Sequence, residues 1–310
     1  MSLKIGIIGA GAIGGYFAAQ LVKAGMEVVV LARGKTRDAL TTDGLTITSE
    51  DGAQTVTFAA VSNDPAALGV CDAVLFTVKG QDTDDAAEAM RPMIGPKTEI
   101  IGLQNGLYGI ELLAEKYGMD HVSPGITYVP AVVEAPGQVK RTGSLTRSVF
   151  GPYQPRDMAL HDEIAAALKA QGTDAHALKE PMAQIWEKYV VLAPFHAIGC
   201  LTRQPVGGWI KSPEMQDLFL KAMQEVSALA MAKGVDIEPK IAEKKLHFAV
   251  TATNPATRAS MLEDLERGKP LEVESIIGWL CRESKRLGLE SPFHDMAYAL
   301  LLSHKDGRAA

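Results

Sequence analysis

A glycine-rich turn near the start of the chain constrains the fold most. Lys4 to Leu21 reads KIGIIGAGAIGGYFAAQL. The isoleucines before the turn predict a short buried strand, and Ala12 to Val22 predicts a helix. Gly9, Gly11 and Gly14 lie between or just inside these elements. In such a turn the first glycine permits the tight reversal, the second lets the backbone approach a pyrophosphate, and the third brings helix against strand.

The context of this turn predicts a dinucleotide site. The motif follows a predicted strand and opens a predicted helix, whose free amides can hold phosphates. The predicted cofactor-binding residues of the turn are Gly9, Ala10, Gly11, Ala12, Ile13 and Gly14. The alternative is a glycine-rich turn that binds no ligand.

The end of the next strand indicates which dinucleotide binds. The strand EVVVLA, Glu27 to Ala32, is not followed by the Asp or Glu that would bind the ribose of NAD. Arg33, Lys35 and Arg37 follow instead. Because a guanidinium suits the 2′-phosphate of NADP, we predict NADP(H) and assign Arg33 to it. A solvated basic loop is the alternative, chiefly for Lys35 and Arg37.

Composition excludes several classes of protein. A chain of 310 residues fits two domains, and a net charge of −6 argues against nucleic acid as a partner. No apolar run reaches the roughly 18 residues of a membrane helix, and the first strand begins too early for a signal peptide, so we expect a cytoplasmic protein. Three scattered cysteines and seven histidines without ligand spacing predict no metal site.

Two later strands add candidate ligand residues. The strand DAVLFTV ends just before Lys79, and TEIIGL ends before Gln104-Asn105-Gly106. Ligands of doubly wound sheets lie at the carboxyl ends of the strands, so we predict that Lys79 and Asn105 contact a ligand. Asn105-Gly106 alone is also an ordinary turn signal.

The whole chain predicts an α/β protein, with a Rossmann-type dinucleotide-binding domain followed by an all-helical C-terminal domain. We expect the NADP-binding domain in residues 1–179, closed off by additional, partly antiparallel sheet strands after Ser123. Beyond Pro181 every segment shows helical periodicity, so residues 180–310 are the predicted substrate-binding and dimerisation domain. The active site is expected where the two meet.

Six segments in order resemble the ketopantoate reductases, also called 2-dehydropantoate 2-reductases. They are GAGAIG, Arg33, Lys79 after FTV, Gln104-Asn105-Gly106, Trp186-Glu187-Lys188, and Ser260-Met261-Leu262 followed by Glu272. The resemblance spans nearly the whole chain. It implies Lys188 as catalytic general acid, Glu272 as the catalytic carboxylate beside the nicotinamide, Ser260 as a substrate ligand, Asn105 as shared by cofactor and substrate, and a cofactor contact from the backbone of Ala131.

The sequence departs from this family at the predicted substrate site. Where ketopantoate reductases typically carry asparagines, four and eight residues after the lysine, this chain has Leu192 and His196, and Val206 replaces a third. Loss of a hydrogen bond to the substrate typically costs about 0.5 to 1.5 kcal/mol of binding free energy. His196 can partly compensate, because its ring can donate to a carboxylate. Pro194 is expected to kink the helix near the site.

The resemblance therefore implies an NADPH-dependent reductase of a small 2-keto acid, with ketopantoate and pantothenate biosynthesis as one candidate substrate and pathway. A lysine ammonium suits the chemistry, because it stabilises the charge that develops on the carbonyl oxygen and then supplies the proton. A reductase of another ketone, or an NADP(H)-sensing protein without catalysis, is the alternative. A homodimer through the helical half is expected by analogy.

Overall fold

The computed structural model describes residues 2–308, which divide by internal contacts into two compact units. The first comprises residues 2–104 and 109–181, and the second residues 105–108 and 182–308. The functional assignment of residues 1–179 and 180–310 stays a prediction. Strands in the described residues are β1 (Lys4–Ile8), β2 (Glu27–Leu31), β3 (Leu45–Ser49), β4 (Gly52–Val56), β5 (Ala60–Ser62), β6 (Ala73–Phe76), β7 (Glu99–Gly102), β8 (Val122–Thr127), β9 (Ala131–Ala135), β10 (Gln138–Arg141), β11 (Ser148–Phe150) and β12 (Ala175–Ala177).

The main sheet of the first unit has the order β12-β11-β8-β7-β6-β1-β2-β5. Six neighbouring strands of this sheet are parallel, namely β8, β7, β6, β1, β2 and β5. Strand β11 is antiparallel to β8, and β12 is parallel to β11. Central strands such as β1 and β6 are apolar and buried because helices cover a parallel sheet on both faces. The order is that of a Rossmann sheet, so the fold class predicted from the sequence is confirmed.

A second sheet differs from what the sequence predicts. The strands β3 and β4 form a hairpin about Glu50 and join β9 and β10 in a separate sheet of order β4-β3-β10-β9. The additional, partly antiparallel strands predicted after Ser123 are present, but β9 and β10 lie in this second sheet and not in the main one. The reason is the parallel pairing of β10 with β3, a contact distant in sequence.

Helices of the first unit connect the strands. They are α1 (Ala12–Lys23), α2 (Gly34–Thr42), α3 (Pro65–Leu68), α4 (Thr83–Ala89) and α6 (Ala159–Ala170), while α5 (Tyr108–Tyr117) begins in the second unit. Helix α1 also packs on the small sheet, where a Cβ at Gly15 would lie 3.2 Å from Val139. The basic segment after β2 is a helix rather than a loop, since α2 begins at Gly34.

The second unit contains no strand among its described residues. Its helices are α7 (Met182–Thr202), α8 (Val206–Trp209), α9 (Pro213–Ala232), α10 (Ile241–Ala252), α11 (Ser260–Glu266), α12 (Trp279–Arg286) and α13 (Pro292–Leu301), with a π-helical turn at Glu274–Gly278. The predicted all-helical character is confirmed. Helix α7 continues without interruption through Pro194. Within residues 2–308 no helix is long and apolar enough to span a bilayer.

Candidate active site

The turn between β1 and α1 has the geometry that its glycines require. Gly9 has φ +95°, and a Cβ there would lie 2.6 Å from the backbone nitrogen of Val78. A Cβ at Gly14 would overlap the carbonyl oxygen of Gly9 and the side chain of Thr77. Gly11 is different, because a Cβ there would meet no atom within 4 Å. Gly9 and Gly14 are thus needed for packing, whereas Gly11 leaves open space at the start of α1.

That open space fits a pyrophosphate. Within the described chain no side chain caps the first turn of α1, whose N-cap is Gly11. Helix N-terminal amides attract anions through their unpaired N–H groups and the helix dipole. The Thr77 hydroxyl lies 3.0 Å from the Ile8 carbonyl oxygen and 2.8 Å from that of Gly9, so β6 fixes the shape of the turn. The sequence offered no signal for this role of Thr77.

Arg33 lies two residues beyond the end of β2 and is exposed. Its extended backbone forms the N-cap of α2. Arg37 is one turn further, and its guanidinium donates to Asp38 at 2.6 and 2.9 Å and lies 3.4 Å from the Asn63 oxygen. Of the basic residues after β2, Arg37 is therefore engaged by its neighbours, while the exposed Arg33 is the one that follows the strand directly.

Lys79 and Ala131 belong to different parts of the first unit. Lys79 is exposed three residues after β6 and caps a short 3-10 turn, Gly80–Asp82. Ala131 begins β9 in the small sheet and is half-buried against the hydrophobic core. Gln104, at the end of β7, is buried, and its amide nitrogen donates to the Val78 carbonyl and to Thr83, both at 2.8 Å. Gln104 thus ties the ends of β6 and β7 together, a role that the sequence motif did not reveal.

The second unit brings Lys188, Asn105 and Glu272 together. The ammonium of Lys188, in α7, donates to Asn105 Oδ1 at 3.1 Å. Glu272 is buried just before the π-helical turn, and its charge acts on the Lys188 ammonium. Three residues far apart in sequence thus form one polar cluster.

The environment of Lys188 changes its acidity. Burial lowers the pKa of Lys188 to about 8 from its usual 10.5, because a charged ammonium is disfavoured away from water. The Glu272 carboxylate opposes this drop by stabilising the charged form. The lowering by burial is the larger of the two effects. A lysine with a pKa near neutrality is suited to general acid catalysis.

His196 and Ser260 form a second polar pair in this unit. His196 is 5% exposed, and its Nδ1 lies 2.8 Å from the Leu192 carbonyl oxygen. Because a carbonyl only accepts, Nδ1 carries a proton, and Nε2 lies at hydrogen-bond distance, 3.2 Å, from the Ser260 hydroxyl. Lys188, Leu192 and His196 follow at four-residue spacing on one face of α7. Leu192 is a buried apolar side chain between the two polar groups.

Two sequence features remain, the position of Val206 and the arrangement of side chains that could bind a metal. Val206 is buried at the start of α8, and its amide donates to the Thr257 carbonyl at 2.9 Å. Across residues 2–308, no group of three or more His, Cys, Asp or Glu side chains is arranged to hold a metal ion.

Sheet order, glycine turn and helix terminus together define a Rossmann-type dinucleotide-binding domain. Residues 5–155 match the family model described as ketopantoate reductase PanE/ApbA, and residues 180–305 match that of its C-terminal domain. The chain belongs to the ketopantoate reductase PanE/ApbA family, so the resemblance seen in the sequence is confirmed.

Individual relatives are similar over nearly their whole length. An uncharacterized oxidoreductase, YkpB, of Bacillus subtilis is 26% identical over 96% of this chain and 98% of its own. The 2-dehydropantoate 2-reductase of Halobacterium salinarum is 29% identical over 98% of this chain and 100% of its own. The crystal structure of the Geobacter metallireducens 2-dehydropantoate 2-reductase has a TM-score of 0.87 and 30% identity, covering 97% and 99% of the two chains.

The glycine turn generates a paired prediction. In G11A the new methyl group enters open space where a pyrophosphate would lie, so NADPH should bind at least about 10-fold more weakly while the melting temperature stays unchanged. In G14A the methyl group overlaps backbone, so the melting temperature should fall. Fluorescence titration with NADPH and thermal melts of both variants measure this. Equal NADPH affinity in G11A and the wild type would contradict the assignment of Gly11.

Proposed function

We propose that the protein reduces a small 2-keto acid to the 2-hydroxy acid with NADPH. The observation that carries this proposal is the partly buried Lys188 ammonium with Asn105 and Glu272 beside it. The 2-dehydropantoate 2-reductase activity in the names of several relatives supports the reaction class. Because the family is defined over both halves of the chain, the reaction type is carried by more than the cofactor motif.

Cofactor binding is assigned to Gly9, Ala10, Gly11, Ala12, Ile13, Gly14, Arg33, Lys79, Asn105, Ala131 and Glu272. NADPH, when bound, supplies a hydride to the carbonyl carbon of the substrate. The amides at the start of α1 hold its pyrophosphate, and the Arg33 guanidinium pairs with the 2′-phosphate. The exposed position of Arg33 after β2, without a carboxylate at the end of that strand, supports NADPH over NADH.

Lys188 acts as the general acid in this proposal. Its ammonium donates a hydrogen bond to the substrate carbonyl oxygen, stabilises the negative charge that develops there, and transfers its proton to that oxygen. Solvent then returns a proton to the amine. Asn105 orients the ammonium through the 3.1 Å hydrogen bond, and Glu272 keeps enough of the amine protonated near neutral pH.

The remaining pocket residues point to a substrate that differs from ketopantoate. We assign substrate binding to the polar groups of Ser260, His196, Asn105 and Lys188. Leu192 supplies an apolar wall between Lys188 and His196 on α7. An apolar wall cannot hydrogen-bond a substrate hydroxyl, so that group would lose its partners on binding. A 2-keto acid with a hydrocarbon side chain fits this arrangement better than a hydroxylated one.

A non-catalytic NADP(H) sensor is the second candidate. Leu192 and Val206 favour it, because they replace polar side chains that family members typically use for substrate. The lowered pKa of Lys188 favours catalysis, since a sensor has no need of an acidic ammonium. A panel of 2-keto acids assayed with NADPH separates the two: oxidation of NADPH supports the reductase, and tight NADPH binding without turnover on any substrate supports the sensor.

Replacement of Lys188 tests the acid. In K188A turnover should fall by about 100-fold or more while NADPH binding is retained. In the wild type, kcat should fall as pH rises through about 8, because the protonated amine is the active form. Stopped-flow assays from pH 6 to about 10 measure both. An unchanged rate in K188A would remove the mechanism, and K245A, in a half-buried pair with Glu187, is the control.

Arg33 and Arg37 form a matched pair for cofactor choice. R33A should weaken NADPH at least about 10-fold and NADH less than about 2-fold, because only NADPH carries the 2′-phosphate. R37A should have little effect, since that guanidinium is already paired with Asp38. Titration of each variant with both nucleotides is the measurement. Equal losses for NADPH and NADH in R33A contradict the assignment.

Two substrates that differ by one hydroxyl test Leu192. The wild type should prefer trimethylpyruvate over ketopantoate, its hydroxylated counterpart, by about 2- to 10-fold in kcat/KM. L192N should shift this ratio towards ketopantoate because the amide can pair with the hydroxyl. L192M keeps the wall apolar and should preserve the wild-type ratio. The idea fails if L192N and L192M give the same ratio.

A further inference from the structure

The chain after Glu272 forms an unusual turn. Glu274–Gly278 is π-helical and continues directly into α12, with the Trp279 amide bonded to the Glu274 carbonyl five residues back. A π-turn carries one residue more than an α-turn and is less stable, so it persists where other contacts support it, frequently at functional sites. Four residues of this turn, Ser275 to Gly278, are buried.

A tyrosine hydroxyl supports the turn from α7. Tyr189 directly follows Lys188, is 2% exposed, and donates its hydroxyl proton to the Ile276 carbonyl at 2.5 Å. Its ring packs edge-on against Trp186 and Trp279, at centroid distances of 5.7 and 5.9 Å. Burial holds the pKa of Tyr189 well above its usual value, so the hydroxyl stays a donor throughout the physiological range.

The same turn contacts Glu272 of the polar cluster and Gly106, the chain neighbour of Asn105. The Glu272 carbonyl accepts from the Ile276 amide at 2.9 Å and from the Ser275 hydroxyl at 3.1 Å. On its other side the turn meets Gly106, where a Cβ would lie 3.3 Å from the Ser275 carbonyl oxygen. Gly106 has φ +81° and is bonded to Asn105. Displacement of the turn would therefore move both Glu272 and Asn105 relative to Lys188.

We propose that Tyr189 is a positioning residue, whose hydrogen bond to Ile276 fixes the π-turn and thereby holds Glu272 and Asn105 around the Lys188 ammonium. This inference rests on the proposed function, because it assigns the arrangement a role in proton transfer. Tyr189 touches neither substrate nor cofactor in this account. Tyr189 has this effect because α7 carries both Lys188, the general acid, and Tyr189, which holds in place the residues that set the pKa of Lys188.

The variant Y189F removes the hydroxyl and keeps the ring. Its kcat should fall about 10- to 100-fold, since small misplacements of catalytic groups have effects of this size, while the Kd for NADPH stays within about 2-fold. Y298F is the matched control. Tyr298 donates its hydroxyl proton to the Glu274 carboxylate of the same turn at 3.0 Å, but Tyr298 is not adjacent in sequence to any residue of the polar cluster. Y298F should keep the wild-type kcat.

The acidity of Lys188 gives a readout that general destabilisation does not move. Glu272 raises the pKa of Lys188, so its displacement in Y189F should move the alkaline limb of kcat to lower pH. The same pKa follows from the pH dependence of Lys188 acetylation by acetic anhydride, measured by mass spectrometry without any substrate. The charged neighbours of the site on α7 and in the turn, Glu187 and Glu274, are paired with Lys245 and Arg282.

Each outcome decides the proposal. A lower Lys188 pKa in Y189F, with Y298F like the wild type, supports it, and an unchanged kcat and pKa in Y189F overturns it. Should Y189F fail to fold, S275A removes the hydroxyl bond to Glu272 within the turn and must show the same direction of shift. If the wild type reduces no 2-keto acid, the proposed function fails, whereas the acetylation arm still tests the positioning.

Discussion

The partial burial of one ammonium group, that of Lys188, is the constraint on which the proposed chemistry depends. An isolated lysine in this position would lose its charge, because burial disfavours the protonated form. The carboxylate of Glu272 counters that loss, and the balance leaves the pKa of Lys188 at about 8, while the amide oxygen of Asn105 accepts a hydrogen bond from the ammonium. The amine is therefore protonated at neutral pH and yet acidic enough to release its proton to an alkoxide.

The two units solve different physical problems. In the proposed function the first binds the cofactor through its backbone: glycines permit β1 and α1 to approach, and the open space at Gly11 leaves room for a phosphate at the helix terminus. The second works through side chains that a long helix presents at four-residue spacing, with Lys188, Leu192 and His196 on one face. Backbone geometry suits a cofactor common to many enzymes, and replaceable side chains suit selection of a substrate.

Much of the fold could be predicted because its signals are local. The glycine turn, the apolar strands of the parallel sheet and the periodic helices each lie within a short stretch of sequence. The small sheet was missed because the pairing of β3 with β10 joins segments far apart in the chain. The π-turn was also missed, since no pattern of apolar residues marks a single inserted residue in a helix.

The candidate site shows the same division. Lys188 and Glu272 came from resemblance, and periodicity alone would have left Lys188 as one basic residue among 31. The pairing of His196 with Ser260 joins residues 64 apart, and the roles of Thr77 and Gln104 depend on hydrogen bonds to neighbouring strands. Such contacts follow from tertiary structure, which explains why sequence motifs name the residues of a site more readily than the groups that position them.

The protonation of Lys188 in solution tests the central claim most directly. Lysines labelled with ¹³C at Cε can be followed by NMR through a pH titration, with the Lys188 signal assigned by its disappearance in K188R. The account predicts that this one signal titrates near pH 8 in the substrate-free protein. Titration of Lys188 together with ordinary lysines near 10.5 would contradict it, because the ammonium would then be solvated and no better an acid than any surface amine.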